Sequence, residues 1–578
     1  MSATATSGSA SASARRERAW PWIEGGVLAL VVLALLVLGG EAVRASYHGY
    51  LHVTLGEAVL RDGLRPENPY HAGAPLRYYT LYPALGALLG RCGLGPLWGF
   101  AALNVFAALL LGPALDALGQ ACRLSFVARR AAFLAATFGF NALGWTGFLV
   151  VDATRFGSAP VYALQPLCFG GHPFGWDARL HAFLPKFLNV SSFALALPFA
   201  LWALSAGFEE RSRGRIVLAG LMLGLATALN PLAGGVAAVA LAVSVAPDFV
   251  RGAAGVRGAW SLAAVGAALV SVPFLLPALA PAPRGPSLTG NPNLGGTPIA
   301  NLLGPIALLF PIALVGFARL ARAARWRVAF AACVCAVLVL VGEMPQGNEY
   351  KMERMLALVL ALPAGEALGT WWAAGGFGKR KALAALVVAL PTTALAAWAY
   401  VAYGAHGAEL PLVVDARGRL APAKEVPSVP AALLALTARS DARAVIVTRL
   451  DEDGTRAGTG LVQGNALAPA LDRPLFVDLP QIHNEGQADL GRRLDLVAAL
   501  YQGEAFVAAD DRVRTSAAAL AELRAVLPDR PILALTHEGR DAGLERALDA
   551  LGARRLGTER GFSLRELPPL ATAAREER

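Results

Sequence analysis

Residues Trp22 to Gly40 read WIEGGVLALVVLALLVLGG, an apolar run with a single acidic residue near its start. About 20 such residues in a helix cross the roughly 30 Å hydrocarbon core of a bilayer, so this run predicts a membrane span. Runs of the same kind recur at Leu97 to Leu118, Ala131 to Val151, Phe183 to Gly207, Ile216 to Pro231, Leu232 to Pro247, Ala259 to Ala280, Leu302 to Ala318, Val328 to Val341, Leu356 to Trp372 and Ala382 to Tyr403. Together they predict a polytopic α-helical membrane protein of about eleven spans. Composition agrees: only 16% of the chain is charged, against about 25% in a soluble domain.

Orientation follows from the cations, because short loops rich in Lys and Arg stay on the cytoplasmic side. Arg15, Arg16 and Arg18 put the N-terminal tail inside, and alternation then gathers the later basic clusters on the same face: Arg123, Arg129 and Arg130; Arg211 to Arg215; Arg251 and Arg257; Arg319 to Arg327; Lys379 to Lys381. This consistency requires that Tyr79 to Arg91, about 13 residues, be re-entrant or interfacial instead of a crossing. Val27 to Leu38 also suits the apolar core of a signal peptide; an uncleaved anchor is favoured, and cleavage leaves the remaining topology unchanged. The expected destination is the cytoplasmic (inner) membrane.

Residues 1–19, rich in Ser, Ala and Thr, predict a disordered cytoplasmic tail. Residues 20–404 form the transmembrane domain, whose first outward loop is 41–78. Residues 405–578 predict an extracytoplasmic α/β domain, since β-rich runs at Ala444 to Arg449, Pro474 to Asp478, Ala505 to Ala508 and Pro531 to Thr536 alternate with helical patterns at Ala488 to Leu500, Thr515 to Val526 and Gly543 to Leu551. No nucleotide-binding glycine motif and no paired-cysteine spacing occurs in it. Its bland role is a cap that orients an acceptor. Of five cysteines, only Cys92 and Cys168 fall on the oxidising side, and no disulfide framework is implied. The net charge of +10 comes largely from the inside clusters, which suits an anionic leaflet and gives no reason to invoke nucleic acid.

Three outward segments hold the ionisable groups. The first, SYHGYLHVTLGEAVLRDGLRPENPYHAGAPLRYYTLYP (Ser46 to Pro83), contains His48, His52 and Glu57, then Arg77, Tyr78, Tyr79 and Tyr82. On a helix His48 and His52 share a face. That pair suits a general base or part of a metal site, but zinc needs three or four protein ligands; packing histidines and an aromatic belt are the bland readings. The second, ending GHPFGWDARLHAFLPKFLN, contributes Asp177, Arg179, His181 and Lys186. The third, EMPQGNEYKMERM, contributes Glu343, Glu349, Lys351, Glu353 and Arg354.

Lysine use singles out two of these. The chain holds 51 basic residues, of which only Lys186, Lys351, Lys379, Lys381 and Lys424 are lysines. Lys186 and Lys351 lie at span mouths on the face where cations are disfavoured. With Arg354 they suit an anionic headgroup or a phosphate leaving group. Snorkelling or pairing of Lys351 with Glu349 or Glu353 is the bland alternative.

A first span, a large outward loop with PENPYHAGAPLRYY (Pro66 to Tyr79), many further spans, the KFLN segment (Lys186 to Asn189), the NEYKMERML segment (Asn348 to Leu356) and a C-terminal α/β domain together resemble polyprenyl-phosphate-sugar-dependent membrane glycosyltransferases of the GT-C fold class. The resemblance implies transfer of a sugar from a polyprenyl-phosphate donor in the membrane lipid to an extracytoplasmic glycan, lipid or protein acceptor. It implies a base in the first outward loop, where the acidic residue usual in the family is replaced by His48, leaving Glu57 and Glu41 as the nearest carboxylates. His48 or Glu57 would take the acceptor proton; Lys186, Lys351, Arg354 and Arg77 would hold the donor phosphate. His52, Tyr78, Asp177, His181, Glu349 and Glu353 would complete the pocket. Phosphate is itself the leaving group, so no nucleotide site is needed. A divalent metal would have Asp177 or Glu57 as a ligand, although no spacing calls for one.

Two other classes are weighed against this one. A transporter should carry ionisable residues within its spans and an internal repeat; the spans are mostly uncharged, with Glu366 the main exception, and no half-chain repeat is visible. A non-catalytic membrane scaffold in envelope polysaccharide assembly should scatter its loop charges instead of gathering them.

Overall fold

The computed structural model describes residues 6–45, 49–146, 183–208, 212–251, 254–279, 302–342, 350–407, 412–414, 420–422, 431–449, 473–477, 489–502 and 515–567. The chain divides into two compact units. One comprises Met1–Ser46, Leu89–Leu275 and Arg284–Ala408; the other comprises Tyr47–Leu88, Leu276–Pro283 and Glu409–Arg578.

The first unit is helical. Six helices among the described residues are long and apolar enough to cross a membrane: Arg15–Leu38, Pro96–Ala121, Gly255–Ala278, Arg322–Val341, Lys351–Ala373 and Gly376–Trp398. The other five apolar runs also form helix, in shorter pieces. Ser192–Phe208 and Arg213–Leu229 have 17 residues each, and the apolar part of the next helix is Pro231–Ala246. The run from Ala131 stops at Gly139, because Asn141 takes a left-handed φ of 51°. The run from Leu302 is broken by a 3-10 turn at Gly304–Ile306, where Pro305 offers no N–H, and only Leu309–Phe317 continues as α-helix. Among the described residues, then, six of the eleven runs lie in helices of membrane length and apolar composition, and the other five hold shorter apolar helical stretches.

Small residues set the helix contacts, as expected where apolar burial alone cannot drive association. Gly220 and Gly224 of Arg213–Leu229 meet Ala263 and Ala267 of Ala254–Leu275. Gly365 and Gly369 of Tyr350–Ala373 meet Ala132 and Ala128 of Phe126–Phe138; a Cβ at Gly369 would lie 2.8 Å from Ala128 Cα. Gly316 is packed onto the Pro363 carbonyl, against the other side of the same helix.

The second unit is built on a four-stranded sheet in the order Val445–Val447, Ile532–His537, Phe562–Leu567, Arg554–Glu559. The first pair is parallel and the others antiparallel. The helices Leu490–Gln502, Ser516–Val526 and Ala542–Ala550 supply Leu496, Leu520 and Leu548 to one face, against Val445, Ile532 and Leu567.

The other face is covered by residues between Leu51 and Tyr79. Leu51 and Leu55 of the amphipathic helix Gly49–Asp62, with Tyr70, Leu76 and Tyr78, pack on Ile446, Leu533 and Leu564. Backbone bonds join the same partners: the Ala72 N–H donates to Leu475 O (2.9 Å) and the Leu475 N–H to Pro69 O (2.8 Å). Within the expected loop 41–78, residues up to Ser46 group with the helical unit, whereas Leu51 to Tyr78 contribute to the sheet's core. The nine-residue helix Leu81–Leu89 ends in a π-turn at Gly90–Leu94. At 1.5 Å per residue it extends about 13 Å, too short to cross a bilayer alone.

Candidate functional site

The helical unit buries two basic side chains, Lys186 and Arg354. Lys186 sits in the four-residue helix Pro185–Leu188, where Pro185 presets the first helical φ, and is 6% exposed. The segment is held by Asn189, whose N–H donates to Pro185 O (3.1 Å) and whose carbonyl accepts from Asn104 Nδ2 (2.8 Å) on Pro96–Ala121. Arg354, in the first turn of Tyr350–Ala373, is 1% exposed. The glycine contacts of that helix with Phe126–Phe138 and Leu309–Phe317 fix where Arg354 stands.

Arg354 is close enough to Lys186 for its charge to act on the ammonium. Aromatic rings face both: the Lys186 ammonium is 5.9 Å from the Phe193 ring centre and the Arg354 guanidinium 5.4 Å from that of Phe140. Glu353, equally buried, is the adjacent carboxylate, while Lys351 is half-exposed. Burying charge is costly unless it is paired or put to use, and ionisable residues in a membrane-spanning bundle mark functional sites.

The remaining described site residues lie in the second unit. His52 is 2% exposed and sits edge-on to Tyr78 and Tyr82, with ring centres 5.7 Å and 5.1 Å away. Tyr78 stacks on Tyr79 at 4.1 Å and donates its hydroxyl to it (2.8 Å). Glu57 is half-buried on the same helix as His52. Five helical positions separate them, a turn of about 140° between their directions, so they serve different faces. Arg77 is half-buried. His48, Asp177, His181 and Glu349 lie outside the described residues, as do Arg179, Glu343 and Cys168. Among the described residues no group of three His, Cys, Asp or Glu side chains could hold a metal ion.

Two polar clusters escaped the sequence reading. Within apolar runs taken as nearly uncharged, Glu24 and Asp116 meet Arg129 and Arg130: Arg130 Nη1 donates to Glu24 Oε2 (2.6 Å), Arg130 Nη2 to Asp116 Oδ1, and Arg129 Nε to Asp116 Oδ1 (2.8 Å). An acidic residue inside each of two runs, with a basic pair at the start of a third, was the available signal. In the second unit, His71 is 1% exposed and its Nε2 lies 2.9 Å from Asp489 Oδ1. Arg493 Nε donates to Asp489 Oδ2 (2.6 Å), and Arg493 Nη1 donates to the carbonyls of Ala72 (2.7 Å) and Phe476 (2.9 Å). His71 stands in the quoted PENPYHAG stretch, but its partners are more than 400 residues away in sequence.

A helical unit with several membrane-length helices and a buried Lys–Arg pair, joined in one chain to an α/β unit, defines a polytopic membrane protein with a candidate anion site. In backbone the chain is similar to solved structures of ArnT from Cupriavidus metallidurans, in the apo state (TM-score 0.48) and bound to undecaprenyl phosphate (TM-score 0.46). Identity is 12% in each case, and the alignments cover 94% of this chain and 98% of that one. No protein-family model and no curated protein matches the chain.

Proposed function

We propose that this chain is a membrane glycosyltransferase that moves a sugar from a polyprenyl-phosphate donor to an acceptor outside the cytoplasm. The observation that supports it is the neighbouring pair of buried cations, Lys186 and Arg354, in a bundle of membrane-length helices. Such a pair suits a phosphate whose negative charge grows as its bond to the sugar breaks, because donors in a low-dielectric setting act strongly on developing charge. Arg354 offers a planar fork to phosphate oxygens and Lys186 a compact point charge.

In the proposed reaction the acceptor hydroxyl attacks the sugar's anomeric carbon, the bond from that carbon to the phosphate oxygen breaks, and polyprenyl phosphate departs with the electron pair. The acceptor proton passes to a base in the first outward loop, His48 or Glu57. Lys351 is assigned a supporting contact to the phosphate, with Glu353 beside it. The inner membrane, with the N-terminus inside and the α/β unit outside, is the proposed location.

Binding of polyprenyl phosphate to the purified full chain in detergent tests the assignment. Lys186→Met and Arg354→Met should each weaken binding at least tenfold while the melting temperature stays within a few degrees. Glu57→Gln should leave that binding intact. Undiminished binding in both cation variants would remove the phosphate site from these residues.

A further inference from the structure

A second feature of the helical unit has neither Lys186 nor Arg354 in its lining. An apolar groove of about 270 Å³ runs along the helix Phe126–Phe138 and is walled by the helices Leu309–Phe317, Tyr350–Ala373 and Gly376–Gly407. From Phe126 to Gly139 it follows about 20 Å of helix, two-thirds of a hydrocarbon core of roughly 30 Å. Its rim is open to the surroundings: Val127, Leu134, Trp372 and Leu383 are each more than a third exposed. Arg130 is the one charged side chain lining it among the described residues, and Glu24 and Asp116 already meet its guanidinium.

Further positive charge near this groove comes from elsewhere. Lys379, Arg380 and Lys381 are all exposed at the start of Gly376–Gly407. The Lys379 ammonium stands 4.6 Å from the ring centre of Trp372, which lines the groove. Lys381 immediately precedes Ala382, another lining residue. No acidic residue occurs between Ala367 and Ala408. A long dry slot with a cluster of cations at one end matches a molecule with an extended hydrocarbon chain and an anionic head, and basic pockets between membrane helices recognise such headgroups.

We propose that this groove binds an anionic phospholipid, one acyl chain lying along Phe126–Phe138 and the headgroup phosphate meeting Lys379, Arg380 and Lys381. The occupant is a lipid of the surrounding leaflet, distinct from the substrate assigned to Lys186 and Arg354. A phospholipid fits because its charge sits at the interface where these three side chains are exposed, while its chain needs only apolar walls.

The test is thermal unfolding of the delipidated full chain in neutral detergent, titrated with phosphatidylglycerol or with phosphatidylcholine of identical acyl chains. Phosphatidylglycerol should raise the melting temperature at a concentration at least tenfold lower than phosphatidylcholine. A variant carrying Lys379→Gln, Arg380→Gln and Lys381→Gln should lose that preference. Ala385→Trp, which fills the slot, should lose the response to both lipids while its circular dichroism stays helical. Equal responses to the two lipids in the unaltered chain, or a preference that survives removal of the three cations, would overturn the proposal. So would displacement of bound phosphatidylglycerol by an equimolar amount of polyprenyl phosphate, which would make the donor lipid the occupant.

Discussion

His71 shows how a single side chain ties distant sequence together. Burial, and then the positive charge of Arg493, hold its imidazole below the usual histidine range, with Arg77 acting in the same sense; Asp489 opposes them without prevailing. For Asp489, burial raises the carboxyl, but the hydrogen bond from Arg493, its charge and His71 outweigh it and leave the group below the usual range. A histidine with a lowered folded value is protonated more readily in the unfolded chain. Its contribution to stability is therefore complete above about pH 6.5 and is lost as the pH falls below that value. Unfolding monitored in the α/β unit should show stability dropping as the pH falls below about 6.5, and His71→Asn should flatten that slope. An unchanged slope in the variant would assign the pH dependence to another group. At this scale the scarcity of lysine marked Lys186 and Lys351 at span mouths, with Arg354 added from the same segment; Lys186 and Arg354 are buried and Lys351 is half-exposed. His71 and Arg493 gave no such mark, because their meaning lies in partners far along the chain.

At the level of elements, apolar run length predicted helix in all eleven places but could not say where each helix stops. The stops are set locally, by Gly139 followed by the left-handed Asn141 and by the Gly304–Pro305 pair, which a count of apolar residues passes over. The hairpin of Arg554–Glu559 and Phe562–Leu567 was missed for a related reason. Its two-residue turn, Arg560-Gly561, takes positive φ at both positions (51° and 79°), a geometry usually announced by Asn-Gly or Asp-Gly. Helix contacts make a sharper prediction. Gly365 admits no side chain, since a Cβ there would fall 2.6 Å from both Ala128 O and Ala132 Cα. Gly365→Val should destabilise the helical unit by about 1–3 kcal/mol, the usual range for overpacking. Gly235→Ala, where the added carbon meets nothing within 4 Å, should be neutral or mildly stabilising by less than about 1 kcal/mol. Thermal unfolding of the two variants in the same detergent checks the contrast.

Taken whole, the molecule joins a helical unit to a sheet unit whose core needs residues from both ends of the chain. Composition and periodicity revealed the two kinds of material, the apolar runs and the alternating strands and helices after residue 404. They could not reveal that Leu51, Leu55 and Tyr70 belong on the sheet, because an amphipathic helix advertises an apolar face without naming what covers it. The same limit applies to the candidate site, where the burial of Lys186 beside Arg354 emerges only from the packing of separate helices. The most direct measurement is sugar transfer by the purified chain in proteoliposomes containing a labelled polyprenyl-phosphate sugar and an extract of envelope acceptors. The account predicts that label leaves the carrier lipid, and that Lys186→Ala and Arg354→Ala each reduce the rate at least a hundredfold in protein that still unfolds at nearly the same temperature. Turnover in both variants at the rate of the unaltered chain would contradict it.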